Sequence, residues 1–292
     1  MKKILITGAG GVTGGNLAAV LAGQFDVTAT NFERTTIAGC RNLTCQLDES
    51  LAVQVLFSTV EPDVAIHCGA FADSSWNRTE VDATETQVVR NLCKTAEAMN
   101  CRFVMVSSDA VYRGPWMFHT EDSECRATTR AAKLARQCEE LVLALTSSLI
   151  LRTNVVGWSP SRDQLVESFL GDLMDGNEFE FGHFTTPIGA TQFAGVVADA
   201  VAAELSGIYN VGGAERCSPY GFASVLSKEF ELPLPISSEA AAPLETSLRS
   251  AAIRERLFVG LPTLKGTVRQ LFEEHDDRVA AFAGVSKQAA AA

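Results

Sequence analysis

Short, continuously apolar runs alternate along the first half of the chain with stretches whose apolar residues recur three and four positions apart. The runs Lys3 to Ile6, Asp26 to Thr30, Val64 to Cys68, Arg102 to Ser107 and Ser148 to Thr153 predict buried strands, with a weaker one near Asn42 to Leu47. Between them, Asn16 to Gly23, Leu51 to Thr59, Val81 to Met99 and Thr128 to Leu145 predict helices. In the first helix Leu17, Val20 and Leu21 share one face and a glycine closes the run. Strand and helix in alternation predict an α/β chain with a doubly wound parallel sheet over residues 1–158. Beyond Gly157 the pattern loosens. Helices near Leu165 to Met174 and Gln192 to Leu205, a strand over Gly207 to Val211 and a helix over Thr267 to Glu274 predict a smaller C-terminal substrate lobe over 159–292. Sheet elements return within it at about 186–213, and the small-residue tail SKQAAAA is expected to fray.

The first strand runs straight into Thr7-Gly8-Ala9-Gly10-Gly11-Val12-Thr13-Gly14. Gly8 permits the tight strand-to-helix turn, Gly11 lets backbone approach a pyrophosphate, and Gly14 lets the helix pack on the strand. With the phosphates on helix N-terminal amides, and Val12 and Thr13 among the cofactor contacts, the segment predicts a Rossmann-type dinucleotide site.

Composition narrows the picture further. The chain has 292 residues, 47% hydrophobic and 20% charged, which suits an ordinary folded enzyme. A net charge of −11 without a Lys/Arg cluster argues against nucleic acid or an anionic membrane as partner. No apolar run approaches the span of a bilayer and no signal-peptide core follows Lys2 and Lys3. The eight cysteines lack a Cys-x-x-Cys pair and the four histidines form no ligand motif. Reduced thiols, a cytoplasmic location and no metal are the expectation.

TGAGGVTG at the start, EPDVAIHCGAF at 61–71, VMVSSDAVYRG at 104–114, LRTNVVG at 151–157 and GIYNVGG at 207–213 occur in this order. Together they resemble the extended short-chain dehydrogenase/reductases, most closely the dTDP-4-dehydrorhamnose reductase branch. The resemblance implies hydride transfer between NADP or NAD and a keto or hydroxy substrate resembling a nucleotide sugar. It implies a Ser/Thr, Tyr and Lys set, whose hydroxyl position falls on Ser108 and whose lysine falls on Lys133. Four residues before Lys133, where the family has its phenol, stands Thr129. It further implies adenine and ribose contacts from Gln46, Leu47, Cys68, Gly69, Ala70 and Phe71, with Lys133 on the nicotinamide ribose. At the end of the second strand Asn31 replaces the usual acid and Arg34 is near, which tilts toward NADP, although Glu33 offers a carboxylate to the ribose.

An aliphatic hydroxyl cannot replace a Lys-activated phenol as proton donor, a role worth about 10²- to 10⁴-fold. The proton is then expected from water, Tyr112 or the substrate. Asp109 and His119 are the other candidate proton carriers, although a lone His in a loop is more often a surface residue. Glu85 falls where the family has an Asn that holds the active-site backbone. The main expectation is an NAD(P)-dependent oxidoreductase, with a homodimer left open. The alternatives are a cofactor-binding protein without reductase activity and a nucleotide-sugar epimerase or dehydratase.

Overall fold

The computed structural model describes residues 1–31, 36–76, 81–160, 165–238 and 243–289. In chain order the elements are β1 (Lys3–Thr7), α1 (Val12–Leu21), β2 (Asp26–Asn31), β3 (Arg41–Thr44), α2 (Ser50–Val60), β4 (Val64–His67), α3 (Thr84–Ala98), β5 (Arg102–Ser108), α4 (Arg130–Leu143) and β6 (Ser148–Thr153). They continue as β7 (Val155–Val156), α5 (Leu165–Asp175), β8 (Glu178–Glu180), β9 (His183–Phe184), β10 (Ile188–Gly189), α6 (Ala190–Ala202), β11 (Gly207–Val211), α7 (Pro219–Glu229), β12 (Ile236–Ser238), β13 (Leu244–Glu245), α8 (Ala251–Leu257) and α9 (Leu264–Ala289).

Seven strands form one parallel sheet in the order β11-β6-β5-β4-β1-β2-β3. The order reverses between β1 and β4, the point at which doubly wound sheets open a crevice at their carboxyl ends. Alternate side chains supply two cores. Ile4 and Ile6, Val64 and Ile66, and Val104 and Val106 face one side, which α1 and α6 cover. Leu5, Ala65, Phe103 and Met105 face the other, with residues of α2, α3 and α4. Burial on both faces is why these strands read as continuous apolar runs.

Two boundaries differ from the sequence pattern. Helix α1 begins at Val12, not Asn16, so Gly14 and Gly15 lie inside it. A Cβ on Gly14 would lie 2.2 Å from the Gly8 carbonyl oxygen, so a glycine here lets the helix start this close to the strand. At the other end α9 continues to Ala289, through most of the segment expected to fray. Residues 290–292 lie outside the described residues.

Candidate active site

The Gly loop lies at the end of β1. Gly8 has φ +81°, a conformation that favours glycine, and a Cβ there would sit 1.7 Å from the Cys68 carbonyl oxygen. The Gly8 and Ala9 amides donate to the Thr30 carbonyl at 3.1 and 2.9 Å, tying the loop to β2. Beside it opens a cleft of about 780 Å³ whose walls include Gly8, Gly10, Gly11, Thr30, Asn31, Leu47, Cys68, Gly69 and Ala70. Gln46 is exposed and outside these walls, between Cys45 and Leu47, which belong to them. Arg34 and Glu33 lie outside the described residues.

At the floor of the cleft His67 bridges Thr7 Oγ1, 2.8 Å from Nδ1, and Glu85 Oε1, 3.0 Å from Nε2. Glu85 also accepts from the Ala70 amide at 3.2 Å, so it braces the backbone after β4. Burial pushes its carboxyl up, but the hydrogen bond and charge of His67 and the Ala70 amide outweigh this and hold it below the usual range. Gly69 is a glycine for the same reason, since its Cβ would meet Glu85 Oε1 at 1.7 Å.

A second cavity of about 350 Å³ shares Ala70 and Asp73 with the cleft. Its walls bring together Phe71, Ser108, Tyr112, Arg113, Thr129 and His183. Ser108, at the end of β5, accepts from the Ala110 amide at 3.2 Å. Beside it Asp109 is fully buried and accepts from Thr185, from Thr246 Oγ1 at 2.7 Å and from Asn154 at 3.3 Å. The cleft thus opens beside a hydroxyl-lined cavity at the point where the sheet order reverses between β1 and β4.

The family described as RmlD substrate binding domain matches residues 1–276. The chain belongs to this family. Among curated proteins it is 28% identical to the spore coat polysaccharide biosynthesis protein SpsK of Bacillus subtilis over 249 residues, 82% of this chain and 83% of that one. Among solved structures it is similar in fold to the dTDP-4-dehydrorhamnose reductase of Bacillus anthracis in complex with NADP (TM-score 0.78, 20% identity, 94% of this chain and 99% of that one). It is equally similar to the Bordetella bronchiseptica enzyme WbmG in complex with NAD and UDP (TM-score 0.78, 18% identity, 94% and 96%).

Within this RmlD-type frame, the residues expected to carry proton transfer are placed differently from the sequence reading. Thr129 is not a helical residue one turn before Lys133. It is the N-cap of α4, with extended backbone (φ −78°, ψ 158°), and its hydroxyl accepts from the Ala132 amide at 3.1 Å. Lys133 is exposed and lines a separate cavity with Glu121, Ser123 and Arg136, while Ala131 and Ala132 present to the cavity of Ser108. Thr129 and Lys133 therefore do not share a face toward the cleft.

Tyr112 is tied down. Its hydroxyl accepts from Arg152 at 2.5 Å and donates to Asn210 at 3.2 Å, and burial, only partly countered by Arg152, pushes the phenol up to about 12. Its ring stacks on His119 at 4.8 Å, so His119 is a buried packing residue and not the surface residue expected. Sequence reasoning missed two groups. His183 lines the cavity with Nε2 buried and unpartnered, and burial holds its pKa below the ordinary value despite Asp109, Glu180 and Glu245. Asp73 stands between cleft and cavity, its carboxylate accepting from the Thr13 amide at 3.0 Å. No helix among the described residues is long and apolar enough to cross a membrane, and no group of His, Cys, Asp and Glu there could hold a metal ion.

Proposed function

We propose that the protein is an NAD(P)-dependent oxidoreductase acting on a keto or hydroxy group of a nucleotide-sugar-like substrate. The observation that carries this reading is the shared wall: Ala70 and Asp73 border both the Gly-loop cleft and the cavity holding Ser108, so a dinucleotide in one reaches a substrate in the other. The cleft fits such a cofactor in two respects: the glycine turn leaves no Cβ in the way, and the Thr30 hydroxyl in its wall is buried without a partner. A bound nicotinamide would supply or accept the hydride. Ser108 orients the substrate oxygen and Arg113 offers the cavity's guanidinium to an anionic substituent. His183, whose Nε2 is buried in the cavity without a partner, takes up the proton of a substrate hydroxyl on oxidation and, as imidazolium, returns it to the oxygen on reduction.

The relatives support the substrate class: one is named for polysaccharide biosynthesis, another for reducing dTDP-4-dehydrorhamnose, and solved neighbours are complexes with NADP or with NAD and UDP. A second reading, a cofactor-binding protein without reductase activity, is favoured by one observation: Lys133 lines a different cavity from Thr129 and Ser108. Absorbance at 340 nm decides between them. With a 4-keto nucleotide sugar, NADH or NADPH is expected to be consumed, and Ser108→Ala and His183→Gln to slow this by at least tenfold. Saturable dinucleotide binding without consumption for any such ketone would support the second reading.

A further inference from the structure

The amides that open α1 already hold a side-chain carboxyl group. Asp73, in the loop after β4 and sixty residues from Thr13 in sequence, places Oδ1 3.0 Å from the Thr13 amide, with the Val12 amide beside it favouring the charged carboxylate. Its other oxygen lies where a Cβ on Gly11 would be 2.9 Å away. The loop is held in register by Thr13 Oγ1, which donates to the Ala72 carbonyl at 2.7 Å. A carboxylate thus sits on the helix N-terminus where a ligand phosphate would be held. No Lys or Arg stands among the described residues of the cleft wall to attract an anion in its place, whereas Asp48 and Glu85 are there with Asp73. The cleft is still shaped for a ligand, because Thr30 in its wall keeps a buried hydroxyl without a partner.

We infer that Asp73 is a resident occupant of the pyrophosphate site, and that an anionic dinucleotide binds only by displacing its carboxylate from the Val12 and Thr13 amides. This rests on the dinucleotide reading of the cleft. Its consequence is a deliberately weak cofactor site: like charges cannot share two amides, so the ligand must turn the 70–76 loop aside before its phosphates reach them. Because Asp73 and Ala70 also form the wall of the Ser108 cavity, that displacement alters both sites at once. A substrate that engages the loop then favours cofactor entry.

The test compares wild type, Asp73→Asn and Asp73→Ala, with inorganic pyrophosphate titrated by calorimetry and NADH and NADPH by fluorescence. Both variants are expected to bind pyrophosphate and reduced dinucleotide at least tenfold more tightly than wild type. Pyrophosphate should raise the melting temperature of the variants but not of wild type. If Asp73→Ala does not fold, Asp73→Asn, which keeps an acceptor for the Thr13 amide, carries the comparison. Equal dinucleotide affinity in all forms would overturn the occupant role while leaving the cofactor reading standing. Tighter pyrophosphate binding in the variants, with no form taking up dinucleotide, would uphold the occupant and overturn the cofactor reading. Failure of both probes with every form would overturn both.

Discussion

Arg152 is the largest fully buried side chain among the described residues, 1% exposed, and it meets Glu139, which is 0% exposed. The pair is bidentate: Nε to Oε1 is 2.9 Å and Nη2 to Oε2 is 2.8 Å. Ser107 donates to the same carboxylate at 2.7 Å, Arg136 at 2.5 Å, and Arg152 reaches on to the Tyr112 hydroxyl. The network joins α4 to β5 and β6 and so fixes the helix whose N-terminus borders the Ser108 cavity. Removing one partner of a buried pair costs about 3–5 kcal/mol, because the other charge is left uncompensated. Arg152→Met leaves Glu139 with Arg136 and Ser107, which places the expected loss near the lower end, about 3 kcal/mol. Glu139→Gln leaves Arg152 with one neutral acceptor and Tyr112, and its loss is expected to be larger. The double variant Arg152→Met/Glu139→Gln should recover stability relative to the sum of the single losses. Urea unfolding of all four proteins, followed by circular dichroism, measures the cycle. Additive losses would refute the account of α4 as held by this network.

Thr129→Ala removes an N-cap and should cost ~1 kcal/mol in urea unfolding while leaving dinucleotide affinity unchanged; a loss of affinity would place Thr129 in the cofactor site. Gly8→Ala must hold a left-handed backbone, costing about 1–3 kcal/mol, and also drive its Cβ into the Cys68 carbonyl, so a melting temperature equal to wild type would contradict the turn described. Tyr112 has its folded pKa raised to about 12, above the unfolded value of about 10. Its contribution to stability is therefore fully present below about pH 10 and lost as pH rises through about 12. Absorbance at 295 nm should show no Tyr112 ionisation between pH 9 and 11 when compared with Tyr112→Phe, and a step in that range would restore the phenol as a proton carrier.

The doubly wound sheet was legible because strands buried on both faces leave apolar runs, and the Gly loop because its glycines directly follow one of them. What escaped were relations that local spacing does not carry. Thr129 and Lys133 are four apart, but that spacing puts residues on one face only when both are helical, and Thr129 is the extended cap. The start of α1 was misplaced because glycines normally disfavour a helix, whereas here Gly14 is what permits contact with Gly8. Asp73 reads as one more acid in a loop until β4 returns beside β1 and brings it to Thr13. His183 gave no signal either, since it joins Ser108 in one cavity from β9, 75 residues further along the chain and paired with β13 outside the main sheet. Tyr112 stood as a proton source because the partners that tie down its hydroxyl, Arg152 and Asn210, are 40 and 98 residues away.

The most direct test of the site is turnover in the presence of Lys133→Ala. Wild type, Lys133→Ala, His183→Gln and Ser108→Ala are compared for oxidation of NADH and NADPH by a 4-keto nucleotide sugar, each with its dinucleotide affinity measured alongside. The geometry predicts that Lys133→Ala retains wild-type turnover and affinity, while Ser108→Ala and His183→Gln lose turnover at least tenfold with little change in affinity. Collapse of turnover in Lys133→Ala, with His183→Gln as active as wild type, would contradict the site described.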